Sequence, residues 1–519
     1  MMRRRREFLK DVGSGMLVVG LGSTLSGDLG ISPAFAADEP DALDFGKMQP
    51  LVSLLQNTDV KHLQPILVKK LQAGEANLKQ LIAAASLANA ESFGGVDYVG
   101  FHTEMSLLPA LQMAAELPKE QQPLPVLKVL YRNTARMHES GCHKNKNLKK
   151  VAAAKISPHA DGGPLLQKAM REIKPDEADG VFAALASQRP AKEAFNDLLW
   201  IVADNAGNVH RFVLAHRAWQ LLDIVGEEHA HTMLRQCVRY CLDQEPGIQK
   251  RGEAKTVRSL VPKLIDQHKL LGKKLGTRKA DDQWIAEMTK TLYEGSSEQA
   301  AEAVAIAIAE GISPESIGEA MSLAANQLVL RQDKSGKSGW RTHGASPGVH
   351  CSDAINAWRN MIRVADHRNA VVGLLVAGYY TGGYNAYKQE AYPHEEHRGE
   401  VKVRNADVLL AEAEEAIRQN NQERASAAIA IYGEEGYSPR PVFDLMLNFA
   451  VSEDGRLHGE KYYRTVVEEF DSIRPAFRWR QLTSLARVTA SAYGYDVDDK
   501  KGHRAPGYEE ACRLLNVQT

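Results

Sequence analysis

The sequence feature that most constrains the fold is a set of four histidine-led segments at paired spacings. The first two histidines are 108 residues apart, as are the last two, and the second pair follows the first by 248 residues. Such regular spacing is typical of structural repeats, each of which is one supersecondary unit. The four-histidine set consists of His102, His210, His350 and His458. We therefore predict two related halves, each built from two multi-helix units.

Further residues share the longer offset of 248. Phe195 corresponds to Phe443 and Tyr131 to Tyr379 in the second half. We interpret this correspondence as an internal duplication. Chance similarity between helices rich in alanine and leucine is the alternative.

The periodicity of the sequence predicts an all-α fold. Apolar residues recur at three- and four-residue spacing in the segments LKQLIAAASLANA and EAVAIAIAEG, as on one face of an amphipathic helix. Ser313 followed by Pro314 is a typical helix start. No run of alternating β-branched residues indicates a strand. We expect a helical repeat, arranged as a curled solenoid or toroid.

The order of segments along the chain gives predicted boundaries. A first helical half spans 45–245, a second spans 296–500, and a C-terminal tail spans 501–519. Between the halves, 246–295 is predicted to be a basic linker with one long helix. Its basic stretch 250–279 has no interleaved aromatic side chains for stacking on bases, and the whole chain has a net charge of only −1. We therefore expect no nucleic-acid partner.

The N-terminal segment 1–36 reads as a targeting signal. Residues 5–10, RREFLK, resemble the twin-arginine export signal of bacteria. A short apolar stretch follows, and Ala34-Phe35-Ala36 is a plausible cleavage site. This resemblance implies the twin-arginine export machinery as a partner and a periplasmic or secreted location. No later apolar run approaches the roughly 18 residues of a membrane span, so none is expected in the mature chain.

The four-histidine set is the strongest candidate for chemistry in a chain with 17 histidines. Carboxylates follow closely as Glu104, Asp353 and Glu460. Imidazole and carboxylate together suit iron, copper or zinc. A histidine at a helix start is also disfavoured as a cation by the helix dipole, so we expect neutral imidazoles that ligate a metal or act as bases. The alternative is structural, because such a histidine can simply cap its helix.

A family resemblance bears on the same segments. The passages His102–Tyr131 and His350–Tyr380 resemble helical segments of questin oxidase-like proteins, with a small residue, Ala110 or Ala357, about two turns after the histidine. The resemblance implies an all-helical, oxygen-dependent oxidoreductase acting on an aromatic polyketide-like compound. An enzyme supplied with NADPH is not expected outside the cytoplasm. We therefore carry over the fold and not the substrate.

Two functional hypotheses follow. The first is an exported oxidoreductase that depends on a metal or cofactor and acts on a small molecule, with the four-histidine set as catalytic residues and metal ligands. Tyr131 and Tyr379 are then the candidate cofactor-binding residues. The second is a non-catalytic helical-repeat scaffold that binds another exported redox protein, in which the histidines stabilise the repeat.

Overall fold

Helix-start signals in the sequence become capped helices in the structure, which is a computed structural model. The Asn77 side chain accepts a hydrogen bond from the Gln80 backbone N–H at 2.9 Å, and the Gln80 side chain accepts one from the Asn77 backbone N–H at 2.9 Å. This reciprocal capping box satisfies two amide groups that the helix itself cannot pair. Ser313 accepts from the Ser316 backbone N–H at 3.2 Å, and Pro314 is the first helical residue. The helix start predicted there is confirmed.

The structure describes residues 41–252, 254–332, 342–384, 392–494 and 507–518. These ranges contain 22 α-helices. The helices up to residue 251 are α1 (Gln49–Asn57), α2 (Val60–Gln72), α3 (Leu78–Phe93), α4 (Tyr98–Ala114), α5 (Pro123–Glu139), α6 (Gly162–Arg171), α7 (Pro175–Gln188), α8 (Ala191–Val202), α9 (Val209–Val225) and α10 (Ala230–Arg251).

The remaining helices are α11 (Ala254–His268), α12 (Asp282–Glu294), α13 (Ser297–Ala309), α14 (Pro314–Arg331), α15 (Pro347–Ile362), α16 (His367–Thr381), α17 (Ala406–Arg418), α18 (Gln422–Glu434), α19 (Arg440–Val451), α20 (Arg456–Ser472), α21 (Trp479–Ala492) and α22 (Gly507–Leu515). Short 3₁₀ helices lie at Gly46–Met48, Glu227–His229, Leu270–Gly272, His343–Ala345, Pro393–Gly399 and Glu453–Gly455.

The predicted all-α class is confirmed. Across the described ranges the only β-type pairing is an isolated bridge between Arg278 and Ile312. None of the helices in these ranges is both long enough and apolar enough to cross a membrane. The predicted signal at 1–36 lies outside the described residues. The duplication, the solenoid or toroid arrangement and the segment boundaries remain predictions.

Two hydrophobic clusters form the interior. One joins apolar side chains of α1–α5 mainly to those of α17–α22, near the other end of the chain. The second is built mainly from α6–α16. Each cluster thus takes residues from both predicted halves. The described residues from Leu43 onward form a single compact unit.

Four helices meet around the centre of this unit. Helix α4 packs against α9 and α20, and α15 also packs against α9 and α20. The four contacts close a cycle, so that helices from the beginning and the end of the chain are neighbours. The Ser106 hydroxyl on α4 donates a hydrogen bond to the Leu457 carbonyl oxygen on α20, at 3.0 Å. Each helix of the cycle carries one member of the four-histidine set.

A buried ion pair reinforces the contact between the two ends of the chain. The Lys128 ammonium on α5 lies 2.6 Å from the Glu460 carboxylate on α20, and both side chains are fully buried. Lys128 also donates to the carbonyl oxygens of Ala450 at 3.1 Å and Ser452 at 2.7 Å. Its ammonium therefore has three oxygen partners in the interior, which offset much of the cost of removing the charge from water.

This ion pair yields a prediction on stability. Lys128→Met leaves the Glu460 carboxylate buried without its cation, so the free energy of unfolding should fall by about 3–5 kcal/mol. Lys128→Met combined with Glu460→Met removes both charges and should recover most of that loss. Urea denaturation of the three proteins measures both effects.

The matched control is Lys70→Met. Lys70 pairs with Glu75 at the surface, where an ion pair contributes little. We expect a much smaller loss there than for Lys128→Met. Equal losses for the two single variants, or no recovery in the double variant, would contradict the structural role of the buried pair.

Candidate functional site

The four-histidine set converges at the centre of the helix cycle. The imidazole centroid of His102 is 4.5 Å from that of His210 and 5.4 Å from that of His458. The centroid of His350 is 5.6 Å from that of His210 and 6.1 Å from that of His458. Each ring therefore has two ring neighbours. We call this group the imidazole cluster.

The histidines enter the cluster from slightly different positions on their helices. His210, His458 and His350 are the second, third and fourth residues of α9, α20 and α15. His102 is the fifth residue of α4, which starts earlier than expected because Asp97 caps it by accepting from the Gly100 backbone N–H at 2.7 Å. The predicted position at a helix start thus describes three of the four histidines closely, and His102 lies in the second turn.

Hydrogen bonds define the proton positions on two imidazoles. His102 Nδ1 lies 2.6 Å from the Tyr98 carbonyl oxygen, and His210 Nδ1 lies 2.9 Å from Asn208 Oδ1. Both partners accept, so Nδ1 carries the proton and Nε2 keeps its lone pair. The Nε2 atoms of His102, His210 and His350 are buried without a hydrogen-bond partner in the described part of the chain. A neutral ring with a free Nε2 can ligate a metal or accept a proton.

The imidazoles are held neutral mainly by burial. Loss of water lowers the pKa of His102, His210 and His458 well below its usual value and that of His350 to about 4. The nearby ammonium of Lys461 lowers all four pKa values further. Burial is therefore the largest of these effects on all four rings, and the contribution expected of the helix dipole remains a prediction.

Lys461 is the residue near the cluster that sequence patterns did not indicate. It follows His458 by three residues and therefore shares its helix face. It is 3 % exposed, and burial lowers its pKa to about 8, whereas Asp353 and Glu460 act in the opposite direction. Burial raises the pKa of Asp353, which accepts a hydrogen bond from the Thr465 hydroxyl at 2.7 Å. Lys461 and Asp353 are thus two buried titratable groups, and the charge of each favours the charged form of the other.

The other two predicted carboxylates are engaged elsewhere. Glu104 and Glu460 each follow a histidine by two residues, a spacing that puts two side chains on different faces of a helix. Glu104 accepts from the Ser86 hydroxyl at 2.6 Å and the Gln236 amide at 3.4 Å, and Glu460 pairs with Lys128. Burial raises the pKa of Glu104 to about 8, so its carboxyl group is protonated near neutral pH and is a poor metal ligand.

The donor atoms of the described side chains are not arranged as a metal site. Among the residues that the structure describes, no three or more histidine, cysteine, aspartate or glutamate side chains are placed so as to hold a metal ion together. The four rings are neighbours, yet their nitrogen atoms do not converge as a ligand shell requires. A metal would require the rings to rotate about their side-chain bonds.

An aromatic cleft of about 380 Å³ opens onto the cluster. His210 and His350 line it together with aromatic side chains on three helices. The ring of Tyr98 lies 4.4 Å and that of Phe101 4.9 Å from the imidazole of His102, centroid to centroid. The aromatic lining residues are Tyr98, Phe101, Tyr240 and Tyr380. Tyr98 precedes His102 by four residues and so lies on the same helix face, which spacing alone could have indicated, whereas the adjacent Phe101 carries no such signal.

The two tyrosines predicted to bind a cofactor occupy other surroundings. The Tyr131 side chain packs against Gly507 at the start of α22, so closely that a Cβ there would be 3.1 Å from it. The Tyr379 hydroxyl interacts with Thr256 on α11. Successive helix residues are turned by about 100°, which is why Tyr380 lines the cleft and its neighbour Tyr379 does not.

Comparison with known proteins adds no assignment. No protein-family model, no curated protein and no solved structure matches the chain. The interpretation of the imidazole cluster therefore depends on its own geometry and chemistry.

The raised pKa of Glu104 yields a prediction on pH dependence. Folded Glu104 keeps its proton up to about pH 8, whereas the unfolded chain releases it near pH 4.5. The folded state therefore binds more protons over this range, and stability falls as pH rises, by roughly 1 kcal/mol per pH unit. Glu104→Gln mimics the protonated carboxyl group and should remove this component of the slope. Urea denaturation between pH 5 and pH 8 measures it.

The matched control is Glu91→Gln on the neighbouring helix α3. Glu91 is paired with Lys146 at 2.8 Å, so loss of its charge should destabilise the protein at pH 7. A Glu104→Gln variant that keeps the wild-type pH slope would show that Glu104 is ionised in the folded protein.

Proposed function

We propose that the protein is an exported, metal-dependent oxidoreductase whose active site is the imidazole cluster and the adjoining aromatic cleft. One observation carries the proposal. Four imidazoles from four helices, distributed over most of the chain, lie within 6.1 Å of their ring neighbours, and three of them have buried Nε2 atoms without a partner. Burying unpaired polar atoms is costly, so a ligand for these nitrogens explains their position.

The four rings could hold a metal only after a rearrangement. Neighbouring ring centroids lie 4.5 to 6.1 Å apart, and the rings would have to rotate about their side-chain bonds for their nitrogen atoms to hold one ion. His102, His210, His350 and His458 are the proposed ligands. Of the metals that suit imidazole, iron and copper change oxidation state and zinc does not. An oxidoreductase therefore favours iron or copper, either of which supplies electron transfer when bound.

The residues around the cluster would act on the substrate and on charge. The aromatic side chains of the cleft would pack against a small molecule, which His210 and His350 would then face. Asp353 offsets the charge of Lys461, whose ammonium would otherwise oppose a bound cation. Lys461 and Asp353 are titratable groups beside the imidazoles, and they would hold or transfer a proton there.

Kinship with questin oxidase-like proteins is proposed for the fold alone. It is supported by the histidine-led helices and by the all-α class of the structure. The substrate of that family is not carried over.

A non-catalytic helical-repeat scaffold is the second candidate function. It would bind another exported redox protein and use the histidines to stabilise the helix cycle. Its support is that no group of described side chains is placed to hold a metal. In that case the imidazoles would only pack the helices together. Their replacement would lower the free energy of unfolding and would not change the metal content.

The metal content tests the proposed function. Mature protein from the periplasm, purified without a histidine tag, should contain iron or copper by elemental analysis. Replacement of one ligand by a neutral amide, in His102→Gln or His350→Gln, should abolish metal retention and leave the helical circular dichroism unchanged. His397→Gln is the control, because His397 is not part of the cluster. Its Nδ1 atom lies 3.1 Å from the Glu400 carboxylate. Folded wild-type protein without iron or copper would favour the scaffold.

Export is tested separately at the N-terminus. Substitution of lysine at both Arg5 and Arg6 keeps the charge but removes the arginine pair, so the precursor should accumulate in the cytoplasm. Lysine at both Arg3 and Arg4 is the matched control and should leave export intact. Fractionation followed by immunoblotting measures both, and export of the Arg5 and Arg6 double variant would contradict twin-arginine transport.

A further inference from the structure

A second cavity, of about 410 Å³, lies apart from the aromatic cleft. It is bounded by α18, by α21, by the 3₁₀ helix Pro393–Gly399 and by the connection that joins α20 to α21. It shares no lining residue with the cleft and contains no member of the imidazole cluster. Its volume lies in the range of small-molecule sites, roughly 300–1,000 Å³. We call it the arginine pocket.

Aromatic side chains form a large part of the wall of the arginine pocket. They are Tyr392, Phe477 and Trp479. The Trp479 indole lies against Gly433 of α18, where a Cβ would be 2.4 Å from the ring. A side chain at position 433 would displace the indole, so the glycine allows the indole to form part of the wall. Flat aromatic side chains of this kind pack well against a planar ligand.

Arg480 provides a cation whose hydrogen-bond donors are unused. Its guanidinium lies over the ring of Phe477, 5.1 Å from the ring centroid. Stacking engages the face of a guanidinium and leaves its N–H groups, which lie in the plane, able to donate. Within the described part of the chain no carboxylate forms an ion pair with Arg480. Such a guanidinium is suited to bind a carboxylate through two parallel hydrogen bonds.

The other charges of the arginine pocket leave an excess of positive charge. Arg398 donates to the Glu434 carboxylate at 2.8 Å, and its Nε atom lies 3.3 Å from the Glu395 carboxylate. One arginine thus contacts both acidic side chains of the wall. Arg331 lies over the ring of Tyr392, 4.1 Å from the ring centroid, and adds a cation beside the pocket. Three arginines against two glutamates give one net positive charge, which favours an anionic ligand.

His394 provides a hydrogen-bond acceptor in the same wall. Its side chain is 6 % exposed, and its Nδ1 atom is buried without a hydrogen-bond partner among the described residues. Its Nε2 atom lies 3.5 Å from the Glu395 carboxylate, which can only accept, so the proton belongs on Nε2 and Nδ1 keeps its lone pair. Burial lowers the pKa of His394 to about 4, so the ring is neutral near pH 7. A donor on the ligand would remove the cost of burying this unpaired acceptor.

We propose that the arginine pocket binds an aromatic carboxylate whose ring also carries a hydrogen-bond donor. Arg480 would hold the carboxylate, the aromatic side chains would pack against the ring, and His394 Nδ1 would accept from the donor. The inference is independent of the proposed function, because it uses neither the imidazole cluster nor the aromatic cleft.

Titration calorimetry of the purified protein tests this site with benzoate, 3-hydroxybenzoate and 4-hydroxybenzoate as probes. We expect binding with a Kd of about 1 mM or lower. Arg480→Gln should weaken the binding of all three by about tenfold or more, because the charge-assisted hydrogen bonds are lost. Arg480→Lys keeps the charge without the planar fork, should cause a smaller loss, and replaces Arg480→Gln if that variant does not fold.

Arg478→Gln is the matched control for the loss of an arginine. Arg478 also stacks on an aromatic ring, 5.0 Å from the centroid of Phe470, but it does not line the arginine pocket. Its replacement should leave all three affinities unchanged. Failure of all three acids to bind the wild-type protein, or equal losses in the Arg478→Gln and Arg480→Gln variants, would overturn the site.

The role of His394 is tested by the preference for a hydroxyl group. At least one hydroxybenzoate should bind the wild-type protein more tightly than benzoate does. His394→Phe keeps a ring but removes the acceptor, so it should abolish that preference and leave the affinity for benzoate nearly unchanged. A preference that survives in this variant would contradict the assigned role of Nδ1. Binding is expected whether or not the protein contains iron or copper, so failure of the arginine pocket leaves the proposed function standing, and the reverse also holds.

Discussion

The structure depends on the convergence of four largely desolvated imidazoles, one buried and three half-buried, at the meeting point of four helices. An imidazole can be buried at modest cost only if it is neutral, and burial lowers the pKa of each member of the cluster. Neutrality in turn allows the rings to approach to 4.5 Å without charge repulsion. Protonation of two neighbouring rings in the helix cycle of α4, α9, α15 and α20 would place like charges side by side next to Lys461, which opposes it.

The charges around the cluster follow from the same constraint. Lys461 is the cation beside the rings, and its own burial lowers its pKa to about 8. Asp353 compensates it from α15, and Lys128 compensates Glu460 from α5. The Lys128–Glu460 ion pair joins α5 near the beginning of the chain to α20 near its end, as does the shared hydrophobic cluster.

Local chemistry allowed much of the fold to be predicted from sequence, whereas contacts between distant segments did not follow from it. Helical periodicity and the cap at Ser313 are local, and both predictions are confirmed. The equal spacing of the histidines indicated that they were equivalent, and the structure brings them together. Tyr379 was predicted to bind a cofactor, but Tyr380 lines the cleft instead. Which of the two faces the cleft depends on how α16 is rotated about its axis, and packing against other helices determines that rotation. Lys461 follows His458 by three residues, so spacing alone places both on one helix face, but its burial depends on neighbours far away in the sequence.

Helical spacing by itself separates the three carboxylates into two kinds. Glu104 and Glu460 lie two residues after a histidine, and Asp353 lies three after one. Only the latter spacing keeps two side chains on one helix face. Asp353 accordingly acts on Lys461 beside the cluster, whereas Glu104 and Glu460 contact Ser86 and Lys128.

The convergence of the four imidazoles is the central claim and can be measured directly in solution. Nuclear Overhauser spectroscopy on deuterated, chelator-treated protein with protonated histidine rings detects only contacts between histidines. We predict cross-peaks from His102 to both His210 and His458, whose ring centroids lie 4.5 and 5.4 Å away, and their loss in a His102→Gln variant. Folded protein that shows no cross-peak between these rings would contradict the account.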